Sequence, residues 1–481
     1  MNVDGQKVLV MGLGLSGRAA ARLLAGRGAD VKVVDSRPDA DVVAAIDQMR
    51  TLNVEVEAGC HSVDEEFDFA VVSPGLSPES TLFRSVASGG YPMMSELEFG
   101  SRMLDCLSVA ITGTNGKTTT TELIEHLLNG CGKKTRAAGN IGLPVCDVVD
   151  ESPDLDFVAL EVSSFQLEKI DQFRPAIAVL TNITTDHMER YPGMPEYAMA
   201  KAGIFENHRS FDWAIIQSEA LAYLRTLGVK IPSQVVTFSA TSRRADLSLD
   251  GNLIVSNLQG WEGPLLAMQQ TNLRGPHNAE NVMAAMAVGH VLQLPLEPMI
   301  KSIKSFEAAP HRCELVGEMN GVQFVNDSKA TNLDAMMKAI QATPCVNPDE
   351  PNVWLIAGGS DKGFEFHDAG PLLARRVKGA FLIGETGGQM KAAWNLFIPC
   401  KCAGDLEEAA QAAAEKAELG DVILMSPACA SFDQFSSYAE RGNRFKEIVA
   451  DLLRTTYSGA PYSGTTTDSD FKINSNTEHQ P

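Results

Sequence analysis

The run Val109-Ala110-Ile111-Thr112-Gly113-Thr114-Asn115-Gly116-Lys117-Thr118-Thr119 passes from β-branched apolar residues into a glycine loop, then a lysine and threonines. A strand that feeds such a loop and opens a helix aims backbone N–H groups at phosphates. The lysine adds a point charge and the following hydroxyl reaches Mg2+. The chemistry expected of Gly113, Thr114, Asn115, Gly116, Lys117, Thr118 and Thr119 is therefore the binding of a nucleoside triphosphate. Ile111 stands where the common G-x-x-x-x-G-K-T pattern has its first glycine. The bland alternative is a tight turn without a ligand.

A second glycine set, Gly12-x-Gly14-x-x-Gly17, follows the apolar run Lys7–Met11, and Asp35 closes the next run. This is the dinucleotide fingerprint in its proper context, with glycines that let the backbone approach a pyrophosphate. Alone it suggests an oxidoreductase using NAD. A nucleotide diphosphate without nicotinamide fits equally well. An enzyme that hydrolyses ATP while holding a nucleotide-linked substrate uses both loops, whereas a dehydrogenase uses one.

Other groups are weaker one by one. Glu161 at an expected strand end and His187 after Asn182-Ile183-Thr184-Thr185-Asp186 are metal-ligand candidates, although Mg2+ prefers oxygen and Asp186 competes for the role. Lys201 has an apolar surround, so it either snorkels to solvent or is buried with a shifted pKa. The last third holds four polar clusters: Pro310-His311-Arg312, Asn326–Asn332, Gly358–Gly363 and Ser426–Phe435. Arg312, Lys329, Lys362 and Ser431 together could receive a dicarboxylate or a nascent phosphate.

The elements that must position these groups alternate. Apolar runs at Lys7–Met11, Val31–Asp35, Phe69–Ser73, Val109–Thr112, Phe157–Glu161, Ile177–Asn182, Val353–Ala357, Phe381–Gly384 and Val422–Ser426 read as strands. Ala- and Leu-rich stretches such as Gly17–Gly26, Thr118–Asn129, Asn278–His290 and Leu406–Leu419 read as helices. The pattern predicts an α/β fold with largely parallel sheets. Nearly every apolar run ends in small, polar or glycine residues, and ligands of open parallel sheets sit outside those carboxyl ends. A site assembled between domains is expected. Residues 1–95, 96–308 and 309–457 are the expected domains, with 458–481 a disordered tail poor in apolar anchors.

Composition excludes several classes. With 40 Lys and Arg against 61 Asp and Glu in 481 residues, the net charge is −21, wrong for sequence-independent nucleic-acid binding. No apolar window approaches a membrane span and the start lacks a signal-peptide layout. The 9 cysteines include no C-x-x-C pair, and only Cys400 and Cys402 are close, so free thiols in a reducing cytosol are expected.

In these residues the chain resembles the Mur ligase family over about 5–457. The loop Thr112–Thr119 marks the wider ATP-dependent ligase superfamily, which includes folylpolyglutamate synthase. Gly139-Asn140-Ile141-Gly142, Asn182–Tyr191, Asn326–Asn332 and Ser426–Phe435 are most similar to its D-glutamate-adding branch. The resemblance implies a cytoplasmic, monomeric enzyme of peptidoglycan synthesis that adds D-glutamate to UDP-N-acetylmuramoyl-L-alanine with ATP and Mg2+. A sister ligase is the runner-up. It implies three α/β domains: a Rossmann-like N-terminal domain, a central P-loop ATPase domain and a C-terminal Rossmann-like domain. Gly14, Leu15, Ser16, Asp35, Ser36, Arg37, Ser73, Gly75, Asn140 and Ser163 would face the UDP substrate. Asn278, Asn281, Arg312 and Asp327 would complete the ATP site. Lys329, Thr331, Lys362, Ser431, Phe432 and Tyr438 would surround D-glutamate, with Tyr438 where the family often has Phe. Lys117, Glu161, His187 and Lys201 would be catalytic. Thr118, Glu161, His187 and Lys201, the last carbamylated, would hold the metal.

Overall fold

The computed structural model describes residues 1–37, 46, 49–188, 190–307, 310–344, 350–360 and 365–458. Lys362 and residues 459–481 of the expected tail lie outside them, while Ser458 ends a helix. Contacts divide the chain into two compact units, Met1–Glu307 and Ala308–Pro481.

The first unit contains two sheets. Strands β1 (Lys7–Met11), β2 (Asp30–Asp35), β3 (Glu55–Ala58), β4 (Phe69–Val72) and β5 (Met93–Ser95) form a parallel sheet in the order β3-β2-β1-β4-β5. The chain leaves β1 to one side and returns on the other. The carboxyl end of β1 is thus a topological switch point, and the Gly12–Gly17 loop lies there.

The second sheet uses β6 (Leu107–Thr112), β7 (Thr135–Gly139), β8 (Phe157–Glu161), β9 (Ile177–Leu180), β10 (Trp213–Gln217), β11 (Gln234–Ser239), β12 (Leu247–Asp250), β13 (Leu253–Ser256) and β14 (Gly263–Ala267). Their order is β14-β13-β12-β11-β10-β9-β6-β8-β7. β6 lies between β9 and β8, is apolar at Val109, Ala110 and Ile111, and carries the second glycine loop at its carboxyl end. Continuous apolar runs suit strands covered on both faces. The cover includes the helix Pro276–Val291, buried without a break from Ala279 to Gly289, which packs on the helix Lys117–Gly130 and on β10–β12.

A short helix, Glu96–Ser101, joins the two sheets and is buried from Glu96 to Gly100. The Glu98 carboxylate accepts N–H bonds from Asp171 (2.9 Å), Gln172 (3.0 Å) and Phe173 (2.9 Å), and the Arg102 guanidinium. Glu96 accepts from the Cys146 N–H at 2.8 Å. A half-buried Arg22–Asp147 ion pair and an exposed Arg27–Asp150 pair, both at 2.8 Å, add further links.

The second unit is one sheet, β15 (Glu314–Met319), β16 (Val322–Asn326), β17 (Val353–Gly358), β18 (Val377–Ile383), β19 (Cys400–Cys402) and β20 (Val422–Met425). The order β15-β16-β20-β17-β18-β19 sets the ends of β16, β20 and β17 side by side. Every expected strand is present. The departures from parallel pairing are β12–β14 and β15, which join antiparallel at sheet edges. Among the described residues, no helix is long and apolar enough to cross a membrane.

Candidate active site

The glycine loop after β6 is held by its neighbour β9. Thr114 N–H donates to the Asn182 carbonyl (3.0 Å) and Asn115 N–H to the Asn182 side chain (2.9 Å). The Asn182 amide and the Thr181 hydroxyl return bonds to the Asn115 carbonyl at 2.9 and 2.7 Å. Thr184 N–H donates to the Thr114 hydroxyl at 3.0 Å. Gly116 has φ +84°, and a Cβ there would lie 2.4 Å from Asn281 Oδ1. Only glycine fits that close approach at that backbone angle. Asn281 also accepts from the Thr120 hydroxyl and donates to Asn278, at 3.1 and 3.0 Å. The helix Lys117–Gly130 starts without a side-chain cap, so its first N–H groups are suited to an anion.

Two lysines meet this loop. Lys117 Nζ donates to the carbonyls of Gly113 (2.9 Å) and Thr114 (2.8 Å). Lys201 Nζ donates to Gly113 at 2.8 Å and lies 4.5 Å from the Tyr197 ring centroid. Lys201 is 2% exposed, so it is buried and does not snorkel. Burial first, and the Lys117 charge second, hold its pKa well below the ordinary lysine value, against the opposite pull of Asp186 and Glu161.

Glu161 ends β8 and is buried. Its Oε1 accepts from the Asn140 side chain at 2.9 Å, while Oε2 has no hydrogen-bond partner. A buried carboxylate oxygen left unpartnered is unfavourable, and a hard divalent cation supplies what it lacks. No three His, Cys, Asp or Glu side chains gather into a cage among the described residues. His187 has φ +58° and packs edge-on against Phe165, with ring centroids 4.8 Å apart.

At the first glycine loop, a Cβ on Gly17 would lie 1.8 Å from the Gly12 carbonyl, so helix and strand touch there. Ser73 donates to that carbonyl at 3.2 Å. Asp35 accepts from Leu13 N–H at 2.8 Å and from Arg37 Nη2 at 3.0 Å. Burial raises its pKa, but Arg37 and the loop amides outweigh that and hold it below the ordinary value. Leu15, the first residue of the helix Leu15–Gly26, is exposed beside an N-terminus with no side-chain cap. Ser36 and Gly75 flank the same strand ends. The Ser163 hydroxyl is engaged in a capping box with Gln166.

In the second unit, Arg312 lies between two non-glycine residues in left-handed conformation, His311 (φ +68°) and Cys313 (φ +44°). Its Nε is buried and unpartnered. Asp327 accepts from the Ser426 hydroxyl at 2.7 Å and the Cys313 N–H at 3.2 Å. Burial lifts its pKa to about 6. Lys329 Nζ reaches the Tyr438 hydroxyl at 3.2 Å and lies 4.8 Å from the ring centroid. Ser431 is buried and Phe432 is exposed beside it. Thr331 precedes Asn332, which caps the helix Leu333–Ala342.

Residues 6–95 match the Mur ligase MurD-like N-terminal domain, 111–289 the Mur ligase middle domain, and 311–429 the Mur ligase glutamate ligase domain. The UDP-N-acetylmuramoylalanine--D-glutamate ligase of Acidobacterium capsulatum is 39% identical over 458 residues, covering 93% of this chain and 97% of that one. The chain belongs to the Mur ligase family. The ligase of the same name from Koribacter versatilis is 38% identical over 94% of this chain and 99% of its own. Among solved structures, the Mur ligase fold recurs in MurC of Thermotoga maritima (TM-score 0.58, 18% identity, 93% of this chain and 100% of that one). MurF of the same organism, in complex with ADP, gives 0.59 at 16% identity over 94% and 96%.

The first unit of this Mur ligase therefore brings Gly113–Thr119, Asn278, Asn281 and Lys201 to one loop, with Glu161 and Asn140 on the adjoining strand ends. The second unit gathers Arg312 with Asp327, and Lys329 with Tyr438. Sequence reasoning missed Arg441, which is 1% exposed. Its guanidinium donates to the Ser328 hydroxyl and carbonyl (3.0 and 2.8 Å), Cys429 (3.1 Å) and Ala430 (3.3 Å). It thereby holds two strand-end loops together. Burial depresses its pKa to about 10. Its surroundings in the sequence, a polar helix start, give no sign of this.

Proposed function

We propose that this Mur ligase joins D-glutamate to UDP-N-acetylmuramoyl-L-alanine, using ATP, in peptidoglycan synthesis. The carrying observation is the end-to-end similarity to D-glutamate ligases, including the MurD-like N-terminal domain. The braced glycine loop and its two lysines are the geometry that suits ATP.

A carboxylate is a poor electrophile. Transfer of the terminal phosphoryl group of ATP to it gives ADP and an acyl phosphate, whose phosphate is a good leaving group. The D-glutamate amine then attacks the acyl carbon, a tetrahedral intermediate forms, and phosphate departs to leave the amide. Both steps build negative charge on oxygen. Lys117 would exchange the Gly113 and Thr114 carbonyls for phosphate oxygens, and the uncapped N–H groups after Gly116 would stabilise the same charge. Thr118, Glu161, His187 and carbamylated Lys201 would hold Mg2+, which supplies charge neutralisation on the phosphates. The depressed pKa of Lys201 favours the neutral amine, the form that adds carbon dioxide.

The remaining assignments are proposals of the same kind. The Gly12–Gly17 loop, Asp35, Ser36, Arg37, Ser73, Gly75, Asn140 and Ser163 would take the UDP substrate. Asn278, Asn281, Arg312 and Asp327 would complete the ATP site. Lys329, Thr331, Lys362, Ser431, Phe432 and Tyr438 would take D-glutamate. Domain limits at 95, 308 and 457, a monomeric state and a cytoplasmic location complete the reading. The nicotinamide alternative uses the Gly12–Gly17 loop and Asp35 alone and leaves the glycine loop Gly113–Thr119 without a role.

Phosphate release from MgATP is the test, with UDP-N-acetylmuramoyl-L-alanine present or absent, crossed with D-glutamate, L-glutamate, L-lysine or nothing. Release should require the UDP substrate and D-glutamate together. Release with another amino acid would move the assignment to a sister ligase.

A further inference from the structure

Phe165, Glu168, Arg190 and Tyr191 form a cluster beside His187 that the chemistry above does not use. Glu168 closes the short helix Ser164–Leu167. Its carboxylate accepts from Arg190 Nε at 3.1 Å, Arg190 Nη2 at 2.6 Å and the Tyr191 hydroxyl at 2.6 Å. The Arg190 guanidinium lies 4.2 Å from the Phe165 ring centroid. Phe165 in turn meets the His187 ring edge-on and stacks on Tyr191, with centroids 6.1 Å apart. Tyr191 packs on Tyr197 at 5.3 Å, and the Tyr197 hydroxyl lies 3.2 Å from Thr114 Oγ1. The cluster therefore reaches the glycine loop. Burial and the Glu168 carboxylate both raise the Tyr191 pKa, so the phenol stays protonated and donates.

The backbone beside this cluster is unusual. Arg190 and Tyr191 N–H groups both return to the His187 carbonyl, at 3.0 and 3.1 Å, while His187 itself is left-handed. A non-glycine residue stays in that region only where its surroundings over-determine it. The surroundings here include Asp186, whose carboxylate accepts from the His187 N–H at 3.0 Å, the Phe165 ring, and Arg190 and Tyr191, both anchored by one carboxylate.

We propose that Glu168 is a positioning residue: by holding Arg190 and Tyr191 it keeps the turn that begins at His187 in the left-handed form that presents the imidazole. The consequence for catalysis rests on the reading of His187 as a magnesium ligand, and the test separates the two.

Full-length Glu168→Ala, Glu168→Gln and Tyr191→Phe are compared with wild type and with His187→Ala. Hydrogen exchange on ligand-free protein reads the turn directly. Peptides spanning 184–191 should exchange about tenfold faster in Glu168→Ala, with peptides in 7–35 unchanged. In turnover, kcat should fall and the Mg2+ needed for half-maximal rate should rise, each by about 10- to 100-fold, the range for groups that orient metal ligands. The KM for D-glutamate should stay within about twofold, since that subsite is assigned to other residues. Glu168→Gln keeps an acceptor and should recover part of both effects. Tyr191→Phe removes one bond of three and should give smaller changes in the same direction, which keeps the comparison usable if Glu168→Ala does not fold. Wild-type exchange at 184–191 in folded Glu168→Ala would overturn the proposal. So would faster exchange with unchanged Mg2+ dependence while His187→Ala shifts it. If His187→Ala leaves Mg2+ dependence unchanged, the metal reading falls, and exchange alone decides the role of Glu168.

Discussion

Two ammonium groups converge on the Gly113 carbonyl, one from Lys117 and one from Lys201. Burial disfavours the charged form of Lys201, and the nearby Lys117 charge adds to that, so its pKa is lowered. Lys201→Ala should lose about 100- to 1,000-fold in turnover with its fold intact. Bicarbonate-independent rescue by formate or acetate, together with a wild-type intact mass heavier by one carboxylate, is the expected signature of the carbamate. A wild-type mass equal to that of its unmodified sequence, with no rescue, would remove it. Tyr438→Phe is a gentler probe. It deletes the hydroxyl that meets Lys329 and leaves the Tyr438 carbonyl that accepts from Ser328 at 2.7 Å. The KM for D-glutamate should rise about 3- to 10-fold, the worth of a typical single hydrogen bond, with the KM for ATP unchanged. At this scale the glycine loop residues were legible because their spacing is a local motif. Lys201 was only half legible: its apolar neighbours allowed two outcomes, and burial selected one. Arg441 and Glu168 were not legible, because each acts on segments far away in the chain.

The helix Glu96–Ser101 shows how an element can carry ionic chemistry inside a core. Burial pushes the Glu96 pKa up to about 7, although the Cys146 N–H opposes this, and its Oε2 has no partner. A folded-state pKa raised above the unfolded value favours the protonated fold. Stability is therefore full at pH below about 4.5 and is lost as pH rises through about 7. Glu96→Gln keeps an acceptor for Cys146 and carries no charge. Its melting temperature should exceed wild type by a few degrees at pH 8 and match it near pH 4. Thermal melts across that range, showing parallel curves for both proteins, would refute this. The strands Lys7–Met11 and Phe157–Glu161 were legible as apolar runs because both faces are covered. β13 alternates buried with half-buried residues and β15 is half-exposed, so neither presents such a run. The antiparallel edges went unseen for that reason.

Across the whole molecule, a chain of net charge −21 is assigned substrates that are themselves anionic. Attraction must then be local, from single basic side chains at strand ends such as Lys117, Arg312 and Lys329. The proposed UDP-substrate residues all fall in the first of the two compact units. Residues Met1–Glu307 expressed alone should bind UDP-N-acetylmuramoyl-L-alanine with Kd within about threefold of the full chain, by calorimetry. They should form no product with D-glutamate. Loss of UDP-substrate binding would show that the first unit does not hold that site by itself. Alternation of strands and helices made the α/β class legible along the chain. The union of the first two sheets in one unit was not, because glutamates at 96 and 98 look like a solvated helix face until their partners at 146 and 171–173 are known.

That union has a pharmacological side. Glu98 grips three successive amides with no exposure to solvent, and the glycine loops at Gly12 and Gly113 belong to one compact unit. A single inhibitor tethering a fragment for each loop would gain most from a stiff linker cut to the span between them, since effective concentration is greatest when linker and span match. Loosening the staple at Glu98 should weaken such a chelating ligand far more than either fragment alone.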